Sequence, residues 1–338
     1  MTFAVKSSDP HHPLSALDDL SVAMKPDMAN VNALILDHMQ SDVPLIPQLA
    51  GYLIASGGKR IRPLMTLAST RLFDTTTSRP YRLAAAVEFI HTATLLHDDV
   101  VDESDQRRGK PSANTVFGNQ SSVLVGDFLF SRAFELMVED GSIEVLRILS
   151  NAAAVITEGE VLQLSIQSKL DTTLDQYLKV IGAKTAVLFA AACEIGPVIA
   201  GQPDSVQKAL RDYGHYLGMV FQIADDLLDY QANESELGKN IGDDFREGKM
   251  TSPVIYALEN ATPEEKDFWK RVFEDHHQME SDLETAKSII MVHKADQKAF
   301  DLAQSYVTMA LQSLSVVPDC SLKSILENLA FFALNRKK

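Results

Sequence analysis

Leu95-Leu96-His97-Asp98-Asp99-Val100-Val101-Asp102 and Phe221-Gln222-Ile223-Ala224-Asp225-Asp226-Leu227-Leu228-Asp229 are two versions of one pattern. In each, an apolar stretch ends in Asp-Asp-x-x-Asp and is followed by a polar loop carrying Gly-Lys, at Gly109-Lys110 and Gly238-Lys239. At about 100° per residue, a helix sets Asp98 and Asp102 within about 40° of each other, one turn apart. The same wheel gathers Gln222, Asp225, Asp226 and Asp229 into an arc of about 100°. Like charges so placed repel and weaken a helix unless a cation lies among them, and carboxylates at a helix C-terminus also oppose its dipole. One such cluster reads equally well as a solvated acidic helix end. Two of them on apolar helices, with Asp243-Asp244 close behind the second, read as arms facing across a cavity. Magnesium is the natural counter-charge, being a hard cation that takes carboxylate oxygens, keeps several waters and completes its shell with phosphates. Shared magnesium would turn the acidic arms into an anion site.

Outward from the arms, apolar residues recur at helical spacing, as in Leu83, Ala86, Val87, Ile90 and in Ala299, Leu302, Ala303, Tyr306, Ala310. Convincing strand alternation is absent. Turn chemistry interrupts the pattern at Gly57-Gly58, Asp74 to Pro80, Glu103 to Asn114, Asp140-Gly141, Gly201 to Asp204, Gln231 to Pro253 and Asn260 to Pro263. The expectation is an all-α chain of ten or more helices. Residues 1–25 read as a flexible tail without the apolar run of a signal peptide, and residues 26–338 as the helical domain. The most apolar stretch, Ala186 to Gly201, is interrupted by Glu194 and Pro197 and is shorter than the roughly 20 residues of a membrane span. A net charge of −15 over 338 residues argues against nucleic acid, whose phosphates need a basic face. Two cysteines, Cys193 and Cys320, are too few for a disulfide framework and point to the cytoplasm.

Cations accompany the arms. Gly57-Gly58-Lys59-Arg60-Ile61-Arg62-Pro63 sets three basic residues after a glycine pair, and Gln106-Arg107-Arg108-Gly109-Lys110 sets two arginines just past the first arm. Arginine forks and lysine point charges are the usual partners of phosphate oxygens, although either run alone reads as a solvated face. On the helix wheel His91 points between Asp98 and Asp102, where it reads either as a satisfied core histidine or as a phosphate contact. Lys184-Thr185 lies at the edge of a buried apolar segment, and a lysine there needs a partner because unpaired burial is costly. Gly214 and Gly218, one turn apart on the second arm's helix, would permit close backbone approach.

Taken together, these motifs resemble the long-chain all-trans polyprenyl diphosphate synthases, from about residue 30 to the C-terminus. The resemblance rests on Gly-Gly-Lys-Arg-Ile-Arg-Pro, His91, Leu-Leu-His-Asp-Asp-Val-Val-Asp-Glu-Ser-Asp-Gln-Arg-Arg-Gly, Lys184-Thr185, Phe-Gln-Ile-Ala-Asp-Asp-Leu-Leu-Asp and Gly-Lys-Asn-Ile-Gly-Asp-Asp-Phe. It implies a single helical domain around a central cavity, a homodimer, and repeated condensation of isopentenyl diphosphate onto an allylic diphosphate, with products serving as quinone side chains. By the same resemblance Lys59, Arg62, His91 and Arg108 bind isopentenyl diphosphate. Arg107, Lys184, Thr185, Gln222 and Lys239 hold the allylic diphosphate with about three magnesium ions. Asp98, Asp102 and Asp225 are the expected direct metal ligands, with Asp99, Asp226 and Asp229 acting through water. Small Ala93 and Thr94, one turn before Asp98, leave the way open for a chain of octaprenyl to decaprenyl length where bulky residues would stop it early. Phe130, Phe134 and Met137 are candidates for a deeper floor. Some shorter-chain members carry an aspartate after a Gly-Gln/Glu-x-x pattern where this chain reads Gly159-Glu160-Val161-Leu162-Gln163, which leaves the role of Gln163 open.

A shorter-chain synthase is the alternative within this class. A terpene cyclase would use one acidic arm and have no need of Lys59, Arg62 and Arg108. A ferritin-like di-iron bundle is suggested by Glu88 with His91 and Glu274 with His277, although the second pair sits in a polar stretch. A non-catalytic helical subunit would have no reason to keep both arms.

Overall fold

The computed structural model describes residues 16–55, 57–73, 75–107, 109–231 and 242–336. Its helices are α1 (Ala16–Ala23), α2 (Lys25–His38), α3 (Leu45–Ala55), α4 (Ile61–Arg71), α5 (Arg79–Val101), α6 (Ala113–Phe117), α7 (Asn119–Asp140), α8 (Ile143–Ile166), α9 (Leu174–Ile181), α10 (Val187–Ile199), α11 (Asp204–Gln231), α12 (Asp243–Arg246), α13 (Ser252–Leu258), α14 (Pro263–Trp269), α15 (Asp282–Val292), α16 (Ala295–Ser313) and α17 (Ser321–Asn335). The only strands among the described residues are Gln106–Arg107 and Lys110–Pro111, an antiparallel pair in the loop after the first arm. The all-α expectation therefore holds.

The boundary of the tail does not. Ala16, Leu17 and Leu20 present one apolar face of α1 and are buried in the core, and α1 packs on α17 and α4. Burial of that face stabilises a helix where a Pro- and His-rich start suggested none. Residues 1–15 lie outside the described residues.

Two long helices carry the arms. At about 1.5 Å per residue, α5 runs about 35 Å and α11 about 42 Å. α5 is sheathed by α7, α4 and α2, and α11 by α10 and α16. One core runs through the whole assembly, with Trp269, Tyr213, Phe89 and Phe273 its largest fully buried side chains. Among the described residues no helix is long and apolar enough to cross a membrane.

What brings α10 against α11 is the glycine pair. A Cβ on Gly214 would lie 2.4 Å from the Phe189 carbonyl oxygen, and one on Gly218 would lie 2.6 Å from the Ala186 Cα. Both obstacles are backbone and cannot swing aside. Gly159 plays the same part on α8, where a Cβ would fall 2.9 Å from the Lys184 amide nitrogen. That contact seats a π-helical turn, Gly182–Ala186, on which Lys184 and Thr185 are carried. Wide turns of this kind concentrate at functional sites.

Gly214→Ala should therefore cost at least about 1–3 kcal/mol through overpacking and should also lower turnover, since Thr185 and Gln222 lie across the same seam. Gly51→Ala, with nothing within 4 Å of the added carbon, is the control and should be neutral or slightly stabilising. Urea titrations beside activity assays check this.

Candidate active site

α5 and α11 end at opposite walls of one cavity of about 660 Å³. Asp98 and Asp102 line it from the first arm, Asp225 and Asp229 from the second, and Asp243 and Asp244 from the turn beyond. Lys59, Arg62, His91, Thr94, Arg107, Lys184, Thr185 and Gln222 line it as well. The structure thus brings most of the sequence-derived residues to one place. Arg108 and Lys239 lie outside the described residues.

Cations hold the carboxylates. Lys184 Nζ is 2.7 Å from Glu160 and 3.6 Å from Asp98. Burial pushes the Asp98 carboxyl above the ordinary carboxylate range despite the pull of Lys184, and Asp102 adds to the rise. Glu160 is raised for the same first reason, against the same lysine. Across the cavity Lys249 reaches Asp102 at 3.5 Å, Asp244 at 4.0 Å and Glu247. Burial works against its charge, but Asp244, Asp102 and Glu247 outweigh it and raise its pKa. Lys249 is therefore the cation that ties the first arm to the turn behind the second.

Further cations line the same cavity. Arg62 donates to His91 Nε2 at 3.1 Å; a guanidinium can only donate, so the imidazole proton is on Nδ1. Arg62 also lies over the ring of Phe189 at 4.5 Å, and Arg336 over Phe221 at 4.5 Å, with the two rings stacked 5.3 Å apart. Arg336 donates to the Phe221 carbonyl at 2.8 Å and to Asp225 at 3.2 Å. Burial lowers the Lys59 pKa, and Arg336 adds to the effect. Gly57 and Arg60 both take left-handed backbone conformations (φ 73° and 46°), and the second sits at the N-cap of α4 between Lys59 and Arg62. Strain of this sort is held at binding loops.

Two carboxylates expected at the metals are turned elsewhere. Asp99 is buried and takes Arg107 Nε at 2.6 Å, fixing the hairpin strand beside the cavity. Asp226 is buried and bonded to Tyr177 and Gln222. One step along a helix is about 100°, enough to carry a neighbour of Asp98 or Asp225 from the cavity into the packed interior. Asp229 lines the cavity while accepting the amides of Gly242 and Asp244 at 3.1 and 2.9 Å, so it also caps α12. Thr94 lines the cavity, whereas Ala93 is fully buried on the face of α5 that carries His97 against Gly126 of α7. Phe134 is partly exposed, with Phe130 5.6 Å away and Met137 fully buried. Gln163 and Gln167 line a smaller space of about 90 Å³ behind Lys184 and Thr185. Glu274 and His277 are both exposed, which removes the second half of a di-iron bundle.

Lys249, Glu160 and Arg336 were not singled out as site residues from the sequence. Lys249 stands in an ordinary polar turn and Arg336 in a basic C-terminal run. Only the folding of distant segments gives them their partners.

Residues 43–290 match the family model described as polyprenyl synthetase. The chain belongs to that family. It is a prenyltransferase. It is 45% identical over 325 residues to the octaprenyl diphosphate synthase of Escherichia coli (strain K12), covering 95% of this chain and 99% of that one. Its fold is similar to the crystal structure of a decaprenyl diphosphate synthase from Rhodobacter capsulatus, at 51% identity and TM-score 0.91, over 94% of this chain and 98% of that one. It is also similar to a polyprenyl synthase from Caulobacter crescentus CB15 complexed with calcium and isoprenyl diphosphate, at 50% identity and TM-score 0.92, over 99% and 100% of the two chains.

Replacing Lys249 by methionine keeps the aliphatic stem and removes the charge between Asp102 and Asp244. A lost charge-assisted contact of about 1.5–3 kcal/mol predicts a fall in turnover of about tenfold or more. Steady-state rates within about twofold of the parent would contradict the bridging role.

Proposed function

We propose that this prenyltransferase lengthens an allylic diphosphate by successive head-to-tail condensation with isopentenyl diphosphate, giving an all-trans product of octaprenyl to decaprenyl length for quinone side chains. The observation that carries the reading is a single cavity with an acidic arm on each of two helices, lined also by Lys59, Arg62, Arg107, Lys184, Lys249 and Arg336. So many cations around one cavity suit two diphosphates, whereas a cyclase handles one. The names of the relatives, octaprenyl and decaprenyl diphosphate synthases, support a long product.

Magnesium fits the site: the arms offer carboxylate oxygens, the preferred donors of a hard cation, and a related structure holds calcium, which shares that preference. About three ions held by Asp98, Asp102 and Asp225 would supply positive charge that offsets the charge on a departing diphosphate. Lys184, Arg107 and Lys239 grip the allylic diphosphate, and Lys59, Arg62, His91 and Arg108 grip isopentenyl diphosphate. Phe189, Phe221 and Leu95 give the cavity an apolar wall that keeps water from the allylic cation. The alkene attacks that cation, and the departed diphosphate takes the proton.

The tail grows away from the diphosphates along α5, first past Thr94 on the cavity wall and then between α5 and α7, where Ala93 is packed. A homodimer is supported by an apolar stripe left open on α7, with Leu124 66% and Val138 65% exposed beside Val123 and Phe134. Those four residues fall within an arc of about 100° on the wheel. The free thiols of Cys193 and Cys320 support a reducing, cytoplasmic setting.

The test is mass spectrometry of products from purified protein, magnesium, isopentenyl diphosphate and allylic primers of several lengths, on material whose mass in solution is twice that of the chain. Octaprenyl to decaprenyl products are expected, shortened by Thr94→Phe or Ala93→Phe. Farnesyl or geranylgeranyl end products would contradict the length, and full-length chains from stable, active forms of both variants would contradict the path.

A further inference from the structure

We infer that Tyr177 and Asp226 are positioning residues that set which end of the Gln222 amide faces Thr185 and the cavity, an inference that deepens the function proposed above and rests on it. Tyr177, on α9, donates its hydroxyl to Asp226 Oδ2 at 2.6 Å. Gln222 Nε2 donates to Asp226 Oδ1 at 2.8 Å, and Thr185 Oγ1 donates to Gln222 Oε1 at 2.8 Å. The deep end of this chain is buried beside the smaller space of about 90 Å³, with Tyr177 and Asp226 each only 3% exposed. Its shallow end is not, since Gln222 and Thr185 both line the cavity.

The three bonds all run toward Asp226, Thr185 donating to Gln222, and Gln222 and Tyr177 donating to the carboxylate. With Asp226 accepting from the Gln222 nitrogen, the Gln222 oxygen faces Thr185. That oxygen receives the Thr185 proton. What the pair presents to the cavity then includes the lone pairs of Thr185 Oγ1 and Gln222 Oε1. Fixed dipoles of this sense attract a positive charge developing on the allylic fragment, and because they are held beforehand they need no reorganisation when the charge appears. A flipped amide would aim its N–H groups at the same point and repel it. Tyr177 matters because it bonds one Asp226 oxygen while the other takes Gln222, holding the carboxylate in place. It is itself held by α9, which begins in a capping box between Thr173 and Gln176 and leads directly into the π-helical turn that carries Thr185. The same three bonds explain why Asp226 is absent from the cavity wall while Asp225 and Asp229 line it.

The experiment compares Tyr177→Phe, Asp226→Asn, the double variant and Asp225→Asn with the parent enzyme. Each is assayed for kcat, for KM of isopentenyl diphosphate, for the magnesium concentration at half activity and for thermal unfolding. Tyr177→Phe keeps the ring and should lower kcat by about tenfold, with KM for isopentenyl diphosphate and the magnesium midpoint unchanged within about twofold. The double variant should be no slower than Asp226→Asn alone, because both changes break one chain. The inference is overturned by parental kcat in Tyr177→Phe, by losses that multiply in the double variant, or by an Asp226→Asn magnesium midpoint that moves as far as that of Asp225→Asn, which would make Asp226 a metal ligand. Should Tyr177→Phe not fold, the magnesium midpoint and kcat of Asp226→Asn still decide. A parent enzyme that elongates no primer would sink the proposed function instead, whereas an elongating parent beside an unaffected Tyr177→Phe sinks this inference alone.

Discussion

Carboxylates facing one another across a cavity repel, and the rest of this molecule is arranged around that repulsion. Asp98 and Asp102 come from one helix, and Asp225 and Asp229 from another, with Asp243 and Asp244 behind. Left to themselves, such charges would drive the helix ends apart or take up protons. Lys184 answers the first arm from the π-helical turn, with Glu160 behind it. Lys249 spans from Asp102 to Asp244, and Arg336 meets Asp225 from the C-terminal side. Three cations from three remote parts of the chain thus keep the site closed while leaving carboxylate oxygens toward the cavity. Partial compensation of this kind suits a site that must accept a metal–diphosphate unit and release it on every cycle.

Geometry that strict needs rigid supports, and here they are backbone contacts. Gly214 and Gly218 let α11 lie directly on α10, and Gly159 lets α8 touch the turn that holds Lys184. The consequence is functional as well as structural. Thr185 and Gln222 meet at 2.8 Å only because the two helices are this close, and the stacked Phe189 and Phe221 at the same seam each carry a guanidinium. The stem of the site is therefore core packing, and its rim is charge.

How much of this the sequence disclosed follows the range of the interactions. The arms were legible because their pattern is local: apolar periodicity into Asp-Asp-x-x-Asp, twice. Gly57-Gly58-Lys59 and Lys184-Thr185 were legible because glycine and lysine are out of place where they stand unless something anionic arrives. The direction in which Asp99 and Asp226 point was not, since each differs from its neighbour by one helical step and only the surrounding helices decide which step faces the cavity. Lys249 and Arg336 were illegible for a related reason. Their partners lie on other segments, and a lone lysine in a polar turn or an arginine in a basic terminal run carries no mark of burial. The apolar face of α1 was overlooked because Ala16, Leu17 and Leu20 make too short a pattern to outweigh the polar start before them.

On this reading the acidic arms bind diphosphate only through divalent cations, and the chain's own lysines and arginines are insufficient alone. Calorimetric titration of a non-hydrolysable allylic diphosphate analogue, with magnesium and then with chelator, tests it most directly. The account predicts tight binding with magnesium and a loss of at least about a hundredfold in affinity without it, since several charge-assisted contacts disappear together and carboxylate repulsion takes their place. Equal affinity under the two conditions would contradict it.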